Sequence, residues 1–264
     1  VSNGSPDQKV ALLGAISHLS EPSRSATFDA LKTGKDGETF AQAGHVATFN
    51  PAVAQDVLNG MTILKQEPKF APKEDDLREA FNKSLPSTDL AIPGARGRIL
   101  DAAKAYYAAQ NFKQGDTSQA FSQPLWDQTV NAVTGGVLDY RGTKIIAPVP
   151  SNTPDQAQAQ FDQRLQGITD ADMHGATLGG VPVPAAALKS SWNRWTGMTN
   201  PIRLQTLDPD SGRYAVIAGP AGAPSKVVDP TTGRALVIDL GKSPMLPAPP
   251  PTRMPPLSLA AGAH

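Results

Sequence analysis

PGARGRILDAAKAYYAAQN, residues 93–111, is the stretch whose reading decides the fold. Ile99, Ala103 and Tyr106 recur at helical spacing, and Leu100 and Tyr107 widen the same stripe. Pro93 suits a first turn, where no backbone N–H is needed. The stretch predicts a long helix with an apolar face, so the elements around it must cover that face.

Upstream, Pro72 precedes KEDDLREAFNKSLP. There Glu74, Asp75 and Asp76 complement a helix N-terminus, and Leu77, Ala80, Phe81 and Leu85 form the buried side. Asn50-Pro51 is an N-cap and first-turn pair ahead of Val53, Val57, Leu58, Met61 and Leu64. Leu12, Leu13, Ile16 and Leu19 suggest a further helix, whereas TGKDGETFAQAGH (33–45) reads as a loop with Phe40 its only bulky anchor. Downstream, Leu125, Trp126, Val130 and Val133 mark a helix at 122–134 that Gly135-Gly136 terminates.

The period then changes. Val137-Leu138 and Ile145-Ile146 flank a polar centre with Gly142, the pattern of a small hairpin. Thr153-Pro154 caps a helix through Phe161, Leu165 and Ile168. From Pro201 short apolar strands follow: Ile202/Leu204, Tyr214/Val216, Val227 and Leu236/Ile238. Two of them open from near-identical stretches, LDPDSGRYAVI (207–217) and VDPTTGRALVI (228–238). Both carry the residues of a tight turn, with Pro pre-set for its second position and Gly for positive φ. Residues 242–264 form a Pro-rich tail suited to extended polyproline II. The expected fold is α+β. It divides into a helical segment (1–70), a helical and mixed core (71–200), a small antiparallel β-meander (201–241) and the tail.

Composition narrows the function. Lys plus Arg and Asp plus Glu number 24 each, so no net field draws the chain to nucleic acid, and no sequence-specific nucleic-acid binding is expected. Cysteine is absent, which excludes disulfides, thiolate metal sites and a cysteine nucleophile. The start VSNGSPDQKV is neither a signal peptide nor a Met start, suggesting the C-terminal part of a longer protein.

Chemical constellations are thin. Asp208 and Asp210 have the spacing of cation ligands, but the sister copy lacks the second carboxylate. Asp170, Asp172 and His174 in TDADMHG would share a face on a strand; if Thr169 caps a short helix, they diverge. Glu74, Asp75 and Asp76 could be proposed as glycosidase carboxylates, but read better as dipole complements. Tyr106, Tyr107, Trp126, Trp192 and Trp195 could line a groove, and at helical spacing read better as core. No catalytic, cofactor-binding or metal-binding residue is assigned, and no cofactor is expected.

AFNKSLPSTDLAIPGARGRILDAAKAYYAAQ followed by LWDQTVNAVTGGVLDYRGTKIIAP resembles a region of large tailed-phage and prophage virion proteins. The likeness lies in blocks: PGAR…AAxAYYAA, NAVTGGV…Y-x-G, then GITDADM, GGVPVPAAAL and the RY-x-V…V-x-DPxTGR…DL ending. It spans roughly residues 75–240. The family implied is that of internal, ejection-type virion proteins, stored in the capsid interior or at the portal and tail. The resemblance implies a non-enzymatic structural part in particle assembly and genome delivery. Its partners would be portal and tail proteins and further copies of the chain, with contact to the host envelope or periplasm after ejection. Two alternatives belong to other classes: a peptidoglycan hydrolase fragment, and a cell-wall-binding module using Trp192 and Trp195.

Overall fold

A computed structural model describes residues 37–87, 89–90, 93–151, 153–175, 177–178, 181–182, 184–194, 202–208, 212–219, 223–229 and 232–241, with Gln8 and Leu12. Of the helix suggested by Leu12, Leu13, Ile16 and Leu19 only Leu12 is among these residues; the side chains of Trp192 and Trp195 and the Pro-rich tail lie outside them. The architecture is α+β, with helices dominant.

Five helices build the first core: α1 (Gly37–Ala47), α2 (Pro51–Gln66), α3 (Glu74–Ser84), α4 (Pro93–Gln114) and α5 (Gln123–Thr134). α4 is the hub. Ile99, Ala102, Ala103, Ala105, Tyr106, Tyr107, Ala108 and Ala109 are all buried, so the helix is apolar around most of its circumference and covered by its neighbours. Its alanines permit close approach, as at Gly60 of α2, where a Cβ would meet the backbone of Ala105. Asn50 caps α2 by accepting from Val53 N at 3.2 Å. Gly135 ends α5 in the left-handed conformation, φ +77°.

Residues 37–47 correct the sequence reading. Residues 37–45 of the stretch read as a loop belong to α1, and Phe40, Ala43, Val46 and Ala47 are buried in the helical core. Small residues carry most of this face, so the periodicity lay in alanines that the eye discounts. Gln42, also buried, donates from Nε2 to the Val133 carbonyl at 2.7 Å and ties α1 to the end of α5.

β1 (Val137–Tyr140) and β2 (Thr143–Ile146) form the expected hairpin. Arg141 and Gly142 both have positive φ, +52° and +78°, the geometry of a two-residue primed turn. Alternation then sends the strands' side chains two ways. Val137 and Ile146, a facing pair, pack on the helical core; Leu138, Tyr140 and Ile145 enter a second core. The hairpin is thus a wall shared by two cores.

The second core gathers Phe161 of α6 (Pro154–Gly167), Ile168, Ala185 of α7 (Ala185–Arg194) and a five-stranded sheet. β6 (Arg203–Asp208), β7 (Arg213–Ala218) and β9 (Val237–Asp239) are antiparallel neighbours with β7 central, and β8 (Ser225–Lys226) pairs with the far end of β7. β3 (Met173–His174) pairs with the outer side of β9, so the sheet also draws on residues before 200. A separate two-stranded ribbon joins β4 (Thr177–Leu178) to β5 (Val181–Pro182). Phe161 stands edge-on to both Tyr140 and Tyr214, at 5.0 and 6.5 Å between ring centres.

A buried polar junction binds the cores together. The Asp89 carboxylate accepts from Lys144 N at 2.8 Å, and its backbone carbonyl accepts from Thr206 N at 2.9 Å. Thr206 Oγ1 accepts from Ile146 N at 3.1 Å, while the Tyr214 hydroxyl donates to the Ile146 carbonyl at 2.6 Å. Both main-chain groups of Ile146 are therefore satisfied by side chains from the sheet. Burial pushes the Tyr214 phenol far up, so it stays protonated and remains a donor. Tyr214→Phe keeps the packing and orphans the Ile146 carbonyl. It should cost about 1–3 kcal/mol, read as a lower urea midpoint with an unchanged slope.

Candidate functional site

The acidic start of α3 lies beside a cleft of about 510 Å³ that Glu74 lines with Met61, Leu64, Lys65, Asp101 and Lys104. Glu74 Oε2 takes a hydrogen bond from Lys104 Nζ at 2.5 Å, and Oε1 takes one from Arg78 Nε at 3.2 Å. The Lys104 hydrogen bond, aided by Arg78, holds the carboxyl below its ordinary range against some desolvation. A glycosidase acid needs the opposite shift, a carboxyl kept protonated near neutral pH. Because the folded-state pKa is depressed, the stabilisation it brings is full above the unfolded value and fades as acid protonates the group. Glu74 is arranged as an ion-pair partner, with Asp75 and Asp76 exposed beside it in the first turn of α3.

TDADMHG folds as the capped alternative. Residues Asp170–Asp172 make one 3₁₀ turn. The Asp172 carboxylate accepts from Thr169 N at 2.7 Å and from Thr169 Oγ1 at 2.8 Å, in the manner of a capping box. Asp170 Oδ1 accepts from Ala185 N at 2.6 Å and so caps the start of α7. His174 is exposed on β3. The two carboxylates serve two different helix starts and do not converge with the imidazole.

The paired DPxxGR stretches are turns with one shared device. Gly212 and Gly233 have φ of +66° and +67°, the left-handed conformation glycine adopts without strain. In the second copy Asp229 is buried; its Oδ1 accepts from Thr232 N at 2.7 Å, and its carbonyl accepts from Gly233 N at 2.8 Å. Asp229 N donates to the Arg234 carbonyl, closing the loop. In the first copy a Cβ on Gly212 would sit 2.9 Å from Gly241 N and 3.0 Å from Pro148 O, so glycine also permits close approach there. Asp210, the second carboxylate of the proposed cation loop, lies outside the described residues.

Three of the aromatics are core. Trp126 and Tyr107 are fully buried and Tyr106 nearly so. Tyr107, Phe121 and Trp126 form a trio with ring centres 6.2–6.4 Å apart. The Tyr107 hydroxyl accepts from Ser122 N at 2.8 Å, and Trp126 Nε1 donates to Ser84 Oγ at 3.2 Å. The aromatics thus lock α3, α4 and α5 together.

The structure adds a cleft that the sequence did not announce. It holds about 420 Å³ between the starts of α2 and α6 and the flank of α5. Phe49, Val53 and Tyr106 give its apolar lining; Asn50, Gln128 and Asn131 give its polar lining. The oxygens of both asparagines are already engaged. Asn50 Oδ1 accepts from Val53 N, and Asn131 Oδ1 accepts from Val137 N at 2.9 Å. Their amide nitrogens therefore remain as donors. The lining offers both donors and acceptors, and nothing in it supplies a nucleophile with a base.

Among the described residues, no group of three or more His, Asp or Glu side chains is placed to hold a metal ion. Among them, too, no helix is long and apolar enough to cross a membrane. No family model, functionally described protein or solved structure matches the chain.

Proposed function

We propose that the chain is a non-enzymatic structural module of a tailed-phage virion, of the internal, ejection type. It acts in particle assembly and in delivery of the genome through the host envelope. The observation that carries this reading is the block likeness across residues 75–240. What supports it further is the use the fold makes of those blocks. AAKAYYAA forms the hub helix, NAVTGG the end of α5, Y-R-G the hairpin turn, TDAD a capping box and DPTTGR a strand turn. These residues serve packing and chain reversal, as a part that must hold shape within a larger assembly requires.

Its neighbours would be portal and tail proteins and further copies of itself. The rival reading, a peptidoglycan hydrolase, turns on Glu74, whose two cationic partners keep it ionised. Zymography of the purified chain on cell wall should show no clearing. Clearing that disappears in Glu74→Gln would overturn the structural reading in favour of the enzyme.

A further inference from the structure

We infer that the cleft between α2, α5 and α6 binds a neutral, hydroxyl-rich ligand, a sugar unit of a glycan. The first ground is the chemistry of the lining. Its described residues include no charged side chain, whereas the Glu74 cleft is lined by three lysines and two carboxylates. Its polar groups are amides and hydroxyls, which both donate and accept, as a sugar hydroxyl does. Asn50 Oδ1 accepts from Val53 N at 3.2 Å and keeps a second lone pair beside its amide N–H groups. Ser151 Oγ donates to the Thr153 carbonyl at 3.2 Å, which leaves its oxygen to accept. Thr153 Oγ1 accepts from Gln156 N at 3.3 Å, which leaves its proton to donate. The Gln128 amide, exposed on α5, has no hydrogen-bond partner among the described residues. Asn131 also borders a neighbouring cleft with Lys83, Asp127 and Lys144, so Asn50, Gln128 and Tyr106 carry the assignment.

The second ground is Tyr106. It lines the cleft and is only 7% exposed, yet its hydroxyl makes no hydrogen bond among the described residues. A buried phenol ordinarily has a partner, and a ligand in the cleft would supply one. Burial raises the phenol's pKa, as does the Asp56 carboxylate, so the hydroxyl keeps its proton. Its ring, with Phe49 and Val53, forms the apolar wall on which the C–H face of a sugar packs.

The third ground is what the cleft is not built to hold. The starts of α2 and α6 face it, and such helix ends attract anions. Both are already capped, by Asn50 and by Thr153, and no cation lines the cleft among the described residues. The volume of about 420 Å³ falls in the usual range for small ligands, about 300–1,000 Å³. With no nucleophile and base in the lining, the sugar is held and not cleaved. Such a site would serve the chain equally inside or outside a virion.

The test titrates the full, isotope-labelled chain with two neutral disaccharides, N,N′-diacetylchitobiose and maltose. The side-chain amide signals of Asn50 and Gln128 report binding. At least one sugar should shift both signals saturably, and which one does so tells an acetamido glycan from a plain glucan. Tyr106→Phe removes the hydroxyl but breaks no hydrogen bond among the described residues. Its melting temperature should therefore not fall, while the sugar binds about three- to tenfold more weakly. Gln128→Ala, at an exposed helix position, should weaken binding by a similar factor. No saturable shift with either sugar would overturn the proposal, and so would unchanged affinity in both variants. The same shifts produced by inorganic phosphate, or by a blocked trialanine peptide and not by the sugars, would overturn it in favour of an anion or a peptide site.

Discussion

Replacing Gly60 by alanine should lower the melting temperature, although in an exposed helix interior the same change stabilises. The added Cβ would lie 1.7 Å from the Ala105 carbonyl oxygen and 2.4 Å from its carbon. Both atoms are main chain of the hub helix, so neither can rotate away. Alanine gains about 1 kcal/mol over glycine in helix propensity. Against it stands overpacking of about 1–3 kcal/mol or more, with a whole helix to displace. The steric cost should win, leaving a net loss of about 2 kcal/mol and, for a chain of this size, a fall of about 4–8 °C. Gly60→Val should fall further. A melting temperature raised by Gly60→Ala would mean that α2 and α4 do not cross as closely as described.

Trp126→Ala should have the larger effect. The indole is fully buried between Tyr107 and Phe121, and its N–H reaches Ser84 across the α3–α5 contact. Truncation removes the packing, leaves a cavity and frees the Ser84 hydroxyl, at about 3–5 kcal/mol. Domains of this kind hold about 5–15 kcal/mol in total, so the variant should unfold at a much lower urea concentration. Trp126→Phe separates the terms: it retains most of the ring packing and loses the hydrogen bond, for about 1–2 kcal/mol. If alanine and phenylalanine cost the same, the aromatic trio is not what secures α3 to α5.

What the sequence made legible follows from how local each signal is. The hub helix could be read because Ile99, Ala103 and Tyr106 declare a period within three turns. The hairpin turn and both DPxxGR turns could be read because glycine and its neighbours determine φ on the spot. α1 escaped because Ala41, Ala43 and Ala47 bury little area each, and Gly37 and Gly44 resemble loop residues. β3 escaped because two residues carry no period, and only β9 gives them a register. The polar junction was beyond any local reading. Ile146 lies 60 and 68 residues from Thr206 and Tyr214, and each looked like an ordinary strand residue. The cleft has the same cause: Asn50 reads as a cap and Asn131 as a helix residue, and only the fold brings both to one cleft.

We propose that the chain works as a structural part of a phage particle. Cross-linking of intact virions, with the linked peptides mapped by mass spectrometry, tests it most directly. Surface lysines such as Lys69, Lys83 and Lys113 provide the reactive points. The expected result is links from these residues to portal or tail proteins and to further copies of the chain. A chain absent from the particle, or one recovered as a partner-free monomer that degrades cell wall, would contradict the claim.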